Sequence, residues 1–224
     1  MEALSEVSRS LRDWLGPDVG VSLLWAANDL KPEYEAEATA VLNAFPGRKS
    51  EFLTGRHCAR NAMQEIGASR AAIGIGTWGQ PEWPAGVVGS ISHDMGICLA
   101  VVGSSSRFEA IGIDLISNYK SFSMEFGKFV FSPSEERSLS GAQSALKASV
   151  AFSAKEAVIK VISTRLDRLV DFLELEIVLD WNAGEFQSFV LSKTGRVRLP
   201  RLSGHFVLKD GAVFTWLAVQ RHLT

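Results

Sequence analysis

The chain carries the stretch Phe152-Ser153-Ala154-Lys155-Glu156-Ala157-Val158-Ile159-Lys160 near the centre of its longest predicted helix, about 145–164. At about 100° per residue, Glu156 and Lys160 share the polar side of this helix, and apolar residues fill the opposite side. The two residues also have the i, i+4 spacing of an ordinary ion pair on a helix surface. Lys155 instead falls within the apolar arc. A surface ion pair therefore explains Glu156 and Lys160 but not Lys155.

The nearest predicted strand on the N-terminal side contains Ile111-Gly112-Ile113-Asp114-Leu115-Ile116 and has a carboxylate in its middle. Gly112, Asp114 and Ile116 share one face of a strand, and Gly112 leaves room beside the carboxylate for a ligand. Aspartate is depleted in strands, and a half-buried one needs a cation or hydrogen-bond donors. An exposed face, or hydrogen bonds in a turn, would explain Asp114 equally well.

Outward from these two segments, hydrophobic periodicity predicts helices and strands in mixed order. Predicted helices cover 5–15, 32–45, 48–66 and 145–164, and Ser132-Pro133 marks a further helix start with a capping serine. Predicted strands cover 21–26, 87–92, 97–102, 108–116, 173–181, 186–191, 205–208 and 213–220, whereas 74–86 is predicted to be irregular. This order indicates an α+β fold with a boundary near residue 110.

The predicted helix 48–66 places arginine among apolar residues. Its apolar stripe consists of Phe52, Ala59, Met63 and Ile66. Arg56 falls inside this stripe, and Arg60 lies at its edge one turn later. A buried arginine is costly unless it meets an anion. The pair could be snorkelling or salt-bridged side chains, or guanidinium groups directed at phosphates.

A polar cluster ends the strand predicted at 87–92, in the sequence Gly89-Ser90-Ile91-Ser92-His93-Asp94. Ser92 and His93 could simply cap a turn through local hydrogen bonds. No nucleophile-elbow sequence surrounds them, which argues against a serine hydrolase.

Composition excludes several classes of protein. The 224 residues include 23 Lys+Arg and 25 Asp+Glu, for a formal net charge of −2, and 46% are hydrophobic. The large hydrophobic fraction and low net charge exclude a disordered chain. The net charge also gives no global attraction to nucleic acid or anionic lipid. No apolar run approaches the roughly 20 residues of a membrane span, and two cysteines make neither a disulfide framework nor a zinc site. We expect a soluble, cytoplasmic, monomeric protein without a secretory signal.

Together, these segments resemble the phosphopantetheinyl transferases, in particular the group that serves siderophore and other nonribosomal peptide or polyketide synthases. The matching stretches are Phe52-Leu53-Thr54-Gly55-Arg56-His57-Cys58-Ala59-Arg60, then Gln80-Pro81-Glu82-Trp83-Pro84 leading into Gly89-Ser90-Ile91-Ser92-His93, then Ile111-Gly112-Ile113-Asp114, and finally residues 152–160 quoted above. They occur in the family's order and span residues 52–160. Each motif alone is weak, but four motifs in order with this spacing are specific.

The resemblance implies transfer of the 4′-phosphopantetheine arm of coenzyme A to a serine of an apo peptidyl, aryl or acyl carrier protein, with release of 3′,5′-ADP. It implies two similar α+β lobes related by a pseudo-twofold axis, here residues 1–110 and 111–224. Coenzyme A and Mg²⁺ would lie in the cleft between them. A nucleophile supplied by the partner would explain why this chain has no activated serine or cysteine.

The resemblance also implies roles for individual residues. The implied coenzyme A-binding residues are Arg56, Arg60, Ser92, His93, Lys155 and Lys160, with His93 near the 3′-phosphate and the two lysines at the diphosphate. The implied Mg²⁺ ligands are Asp114 and Glu156. The implied catalytic residues are Asp114, Glu156 and Lys160, and Glu156 is also the implied candidate to accept the proton of the carrier serine.

One position departs from the family's pattern, because Ile116 stands where members commonly carry a second carboxylate on the strand. Two alternatives to an active transferase follow: a catalytically impaired coenzyme A-binding homologue, or a metal-dependent hydrolase of diphosphates. Residues 120–130, which combine lysines with aromatic side chains, are a predicted docking segment for an acidic carrier, although most of these aromatics could equally be core.

Overall fold

A computed structural model describes residues 2–123, 125, 127–190 and 201–221. The helices are α1 (Glu2–Leu15), α2 (Glu35–Ala40), α3 (Pro46–Glu65), α4 (Gly127–Val130), α5 (Pro133–Leu139) and α6 (Ser144–Leu166). The strands are β1 (Val19–Trp25), β2 (Gly74–Ile75), β3 (Pro81–Glu82), β4 (Val87–Asp94), β5 (Ile97–Ser104), β6 (Phe108–Ile116), β7 (Leu175–Asp180), β8 (Glu185–Val190), β9 (Leu202–Lys209) and β10 (Ala212–Gln220). Short 3-10 helices cover Tyr119–Ser121 and Phe172–Glu174.

The first half of the fold is an antiparallel sheet in the order β1-β5-β4. One face of β5 packs on α3 through small side chains, including Cys98 and Ala100 against Cys58, Ala59 and Ala62. Gly20 permits the close approach of α3, since a Cβ there would lie 1.8 Å from the carbonyl oxygen of Ala62. The opposite face of the sheet packs on α1.

The second half is a five-stranded antiparallel sheet in the order β6-β10-β9-β8-β7, with α6 across one face. A Cβ at Gly112 would lie 2.1 Å from the carbonyl oxygen of Ala157 in α6. The expectation that Gly112 leaves room for a ligand is therefore wrong, because α6 occupies that space. The chain thus forms two α+β halves, each an antiparallel sheet crossed by one long helix, which agrees with the predicted fold class.

Polar contacts between β4 and β6 join the two halves. The hydroxyl of Ser90 accepts a hydrogen bond from the backbone N–H of Ile113 at 3.1 Å. One carboxylate oxygen of Asp94 accepts from both the backbone N–H and the hydroxyl of Ser117, each at 2.7 Å. These bonds fix the end of β4 beside the end of β6. The division at residues 110 and 111 stays a prediction.

The largest departures from the predicted elements lie before β4. The predicted helix 32–45 shortens to α2, and Pro46 begins α3 instead of separating two helices. Proline suits a first helical position, where its missing N–H would have no intrahelical partner. The segment predicted to be irregular contains the short pair β2–β3. None of the helices in the described part of the chain has the length and apolar character needed to cross a bilayer.

Candidate active site

The site lies in a cleft between the two halves, in a cavity of about 710 Å³. Strands β4 and β6, helix α6 and residues from 121–123 and 127–131 form its walls. The side chains that matter for its chemistry are Ser92, His93, Asp114, Ile116, Glu156 and Lys160, all of which line it. The structure therefore brings together six residues that the sequence places in three separate segments.

Asp114 is held in place by three side chains. One of its carboxylate oxygens accepts hydrogen bonds from Lys160 Nζ and from the hydroxyl of Ser92, both at 2.9 Å. The other oxygen accepts from the hydroxyl of Ser153 at 2.9 Å. Lys160 also donates to the carbonyl oxygen of Ile113 at 2.8 Å. The carboxylate in the strand is thus buried and partnered, which excludes the exposed-face alternative.

Glu156 lies in the same cavity, one turn of α6 before Lys160. Burial raises the pKa of Glu156, the negative charge of Asp114 raises it further, and only the charge of Lys160 opposes them. Two carboxylates that share one lysine in a partly closed cleft favour the arrival of another cation.

This donor set fits Mg²⁺. Hard oxygen ligands suit the ion, which commonly binds proteins through one or two carboxylates and completes its shell with substrate phosphates and water. Within the described residues, no group of three or more side chains of the metal-ligating types comes together. Ile116 lines the same cavity and offers no ligand atom.

His93 stands beside a residue that the sequence analysis missed. Its Nε2 contacts the guanidinium of Arg48, and its Nδ1 lies 3.2 Å from a carboxylate oxygen of Glu51. Burial lowers the pKa of His93, and the charge of Arg48 lowers it further, against the opposing charge of Glu51. The sequence holds one weak signal for Arg48: a cation in the first turn of a helix opposes the helix dipole.

Arg56 is buried with one face of its guanidinium on the ring of Phe52, 4.4 Å from the centroid. It donates to the carbonyl oxygens of Ile73 and Gly74, both at 3.0 Å. Burial lowers the pKa of Arg56 to about 10. Among the described residues no carboxylate forms a salt bridge with it, so its predicted phosphate contact stays a prediction.

Arg60 is occupied by the protein itself. One terminal nitrogen donates to Glu37, and the other donates to Glu33 at 2.9 Å. The side chain is 2% exposed. This placement contradicts the predicted coenzyme A contact of Arg60, because both ends of its guanidinium already bind carboxylates. The salt-bridge alternative is the correct one for this arginine.

Lys155 is also placed away from the cleft. Its side chain is completely buried, and its amine donates to Glu135 at 2.7 Å and to three backbone carbonyl oxygens. This placement contradicts the predicted diphosphate contact of Lys155, since the amine faces the protein interior and its donors are in use. The position of Lys155 among apolar residues of the helix correctly indicated burial. Its partner, however, is the carboxylate of Glu135 and not a ligand diphosphate.

A second, mostly apolar cavity of about 260 Å³ adjoins the first. Trp78, Trp83, Ile111 and Ile159 contribute to its lining, and Lys160 lines both cavities. Lys160 therefore stands where the cleft that holds Asp114 and Glu156 meets this second cavity.

Two family models match this chain. Residues 36–103 match the 4′-phosphopantetheinyl transferase N-terminal domain, and residues 110–211 match the 4′-phosphopantetheinyl transferase superfamily. The chain is 33% identical to 4′-phosphopantetheinyl transferase Npt of Nocardia iowensis over 208 residues, covering 88% of this chain and 93% of Npt. It is 35% identical to 4′-phosphopantetheinyl transferase Svp of Streptomyces mobaraensis over 213 residues, covering 91% of this chain and 81% of Svp. Enterobactin synthase component D of Escherichia coli O157:H7 is 36% identical over 171 residues, covering 75% of this chain and 76% of that protein.

Proposed function

This chain belongs to the 4′-phosphopantetheinyl transferase superfamily, and we propose that it transfers the phosphopantetheine arm of coenzyme A to a serine of an apo carrier protein. The reaction depends on Mg²⁺ and releases 3′,5′-ADP. The observation that carries the proposal is the convergence of Asp114, Glu156 and Lys160 on one cleft between the two halves.

Asp114 and Glu156 hold the metal in this proposal. When bound by these two residues, Mg²⁺ would supply positive charge next to the diphosphate. Ser92 and Ser153 orient Asp114, so that its carboxylate is fixed before any ligand arrives. Lys160 lies within 2.9 Å of Asp114 and lines both cavities, which suits contact with the diphosphate.

Glu156 is also the proposed proton acceptor for the carrier serine. A carboxylate within reach of the serine hydroxyl can act as a general base. It faces the open cavity, from which a serine on a partner would approach.

The two ends of coenzyme A meet different environments in this proposal. Arg48, with His93 beside it, and Arg56 are the proposed contacts of the 3′-phosphate, and the two arginines supply the positive charge. The apolar cavity beside Lys160 suits the pantetheine arm, which carries little charge.

The carrier docks on the segment 120–130 in this proposal. Phe129 is 62% exposed, and Lys128 lies 5.0 Å from the centroid of its ring. An exposed aromatic flanked by lysine suits an acidic partner. Met124 and Phe126, which share this segment, lie outside the described residues. The enterobactin synthase relative favours carriers of siderophore or other nonribosomal peptide synthases.

Incubation of the protein with coenzyme A, Mg²⁺ and apo carriers, followed by mass spectrometry, tests the proposal. We expect one phosphopantetheine mass on the carrier that is the true partner, and none with the Asp114→Ala variant. No mass change on any peptidyl, aryl or acyl carrier would contradict the proposal. Coenzyme A binding without transfer would indicate an impaired homologue, in line with Ile116. Release of ADP without a carrier would indicate a hydrolase.

A further inference from the structure

Lys155 stands at the centre of a buried polar cluster next to the proposed site. Its amine donates to the carboxylate of Glu135 and to the carbonyl oxygen of Val130, each at 2.7 Å. It also lies within hydrogen-bond distance of the carbonyl oxygens of Leu175 at 2.8 Å and Phe172 at 2.9 Å. Three N–H donors thus serve four acceptors, and the side chain is 0% exposed.

Glu135 extends the cluster on the other side. The oxygen that faces Lys155 also accepts from the backbone N–H of Ser132 at 2.8 Å, which completes the capping box of α5. The second oxygen accepts from the backbone N–H of Ile177 in β7 at 2.8 Å. One ion pair therefore ties the end of α4, the start of α5 and the start of β7 to α6.

The segment that this cluster holds forms a wall of the proposed active site. Gly127, Val130 and Phe131 line the cavity that also contains Glu156, the residue after Lys155. The amine of Lys155 lies 5.7 Å from the centroid of the Phe131 ring. The direct bond to the carbonyl of Val130 links this wall to the turn of α6 that presents Glu156.

We propose that Lys155 is a positioning residue for the transfer reaction, which sets the distance between the wall 127–131 and Glu156. This inference rests on the proposed function. The apolar cluster of Val130, Phe131, Leu139, Ala148 and Ala151 also packs the wall onto α6. Apolar contacts tolerate small shifts, whereas the lysine bonds define one position, because each acceptor lies at a fixed distance and direction.

The Lys155→Met variant tests the proposal, since methionine has a similar length and no charge. Ile162→Ala is the matched control: Ile162 is buried on α6 but belongs to a different apolar cluster, under the second sheet. Each protein is assayed well below its own melting temperature. We expect kcat for carrier modification to fall about tenfold to a hundredfold in Lys155→Met, because small misplacements near reacting groups have effects of this size. The coenzyme A Kd should stay near the wild-type value, and Ile162→Ala should keep its kcat.

Hydrogen–deuterium exchange gives a readout that needs no turnover. In Lys155→Met, amides of 127–135 should exchange faster than in the wild type, and amides of 111–116 should not. If the wild-type protein modifies no carrier, the proposed function is wrong. The exchange experiment still shows in that case whether Lys155 holds the wall 127–131 in place. Unchanged exchange at 127–135, or wild-type kcat, would overturn the proposal. A parallel loss of coenzyme A affinity would also overturn it, in favour of a diphosphate contact.

The Glu135→Gln variant tests the same proposal from the other residue of the ion pair. The amide keeps an acceptor oxygen for a backbone N–H but removes the charge that faces Lys155. We expect the same direction of change in kcat and exchange as for Lys155→Met, and this variant decides the question if Lys155→Met does not fold.

Discussion

Two lysine sites on helix α6, five residues apart, show opposite relations to solvent. Lys155 pairs with Glu135 at 2.7 Å, and Lys160 pairs with Asp114 at 2.9 Å. The first lysine side chain is 0% exposed, and the second is 28% exposed. Similar ion-pair distances therefore accompany very different surroundings.

The difference in access separates a structural pair from a pair that can take part in chemistry. All donors of Lys155 point at acceptors of the protein, so no ligand can replace one without opening the fold. Lys160 uses two hydrogen bonds that the structure shows and borders two cavities. Its ammonium group has a third N–H that a ligand phosphate can bind.

The largest expected effect comes from removing the partly exposed ion pair of Asp114 and Lys160, here called the open pair. Asp114→Ala should lower transfer by about a thousandfold or more at any Mg²⁺ concentration, because it removes a proposed metal ligand and the anchor of Lys160 together. Carrier modification measured across a Mg²⁺ titration tests this, with circular dichroism to verify folding. Recovery of near wild-type rates at high Mg²⁺ would show that Asp114 is not essential to the site.

The second comparison is between the stabilities of the two pairs. Lys155→Met should lower the free energy of unfolding by about 3–5 kcal/mol, since it leaves Glu135 buried without a counter-charge. Lys160→Met should cost less, about 1–2 kcal/mol, because Lys160 is partly exposed and two serines still bind Asp114. Urea unfolding of both variants measures the difference. Equal losses would mean that the two sites do not differ in the way their exposure indicates.

The third prediction concerns the other end of the cleft. Arg48→Ala and His93→Ala should raise the apparent KM for coenzyme A more than they lower kcat. The loss of binding free energy should be about 1.5–3 kcal/mol for each variant. Both residues are assigned to a bound phosphate and not to the reacting atoms. Dephospho-coenzyme A, which lacks the 3′-phosphate, is the control ligand. If it binds the wild type as tightly as coenzyme A does, the assignment is wrong.

A smaller effect is expected at Ile116, beside the open pair. Ile116→Glu should lower the Mg²⁺ concentration for half-maximal transfer, because a glutamate there would project to the side of Asp114 and add an oxygen ligand. Desolvation of the new carboxylate opposes part of this gain. The measurement is a Mg²⁺ titration at saturating coenzyme A and carrier. An unchanged requirement in a folded variant would place residue 116 away from the metal.

The smallest effect concerns the ion-pair cluster around Glu33, whose side chain is more exposed than that of either lysine. Burial alone would raise the pKa of Glu33, but hydrogen bonds from Arg70 and His57 and the charge and hydrogen bond of Arg60 outweigh it and lower the pKa to about 2. Because this pKa lies below the ordinary value of 4.5, the stabilisation is fully present above about pH 4.5 and is lost as pH falls toward 2. Glu33→Gln should therefore lose less stability than the wild type over this window in urea unfolding at stepped pH. The difference should be small, since the Glu33 side chain is 35% exposed.

Much of the local structure could be predicted from the sequence. The capping serine at Ser132 starts α5 as expected, because its side chain and that of Glu135 satisfy each other's backbone N–H groups within four residues. The Asp210-Gly211 turn joins β9 and β10 with both residues at positive φ, which their type favours. Such features depend on neighbours in the chain.

The sequence by itself determined the α+β class, most helices and strands, and the position of Lys155 and Arg56 on otherwise apolar helix faces, with Arg60 at the edge of such a face. Only the tertiary structure decided what those buried cations meet. A helical wheel gives the direction of a side chain from the helix axis, but the partners Glu135, Glu37 and the carbonyls of distant segments arrive through the fold. The same reason hid Arg48, whose neighbour His93 is 45 positions away in sequence. A buried charge needs a partner, and the packing of distant elements determines whether that partner belongs to the protein or to its ligand.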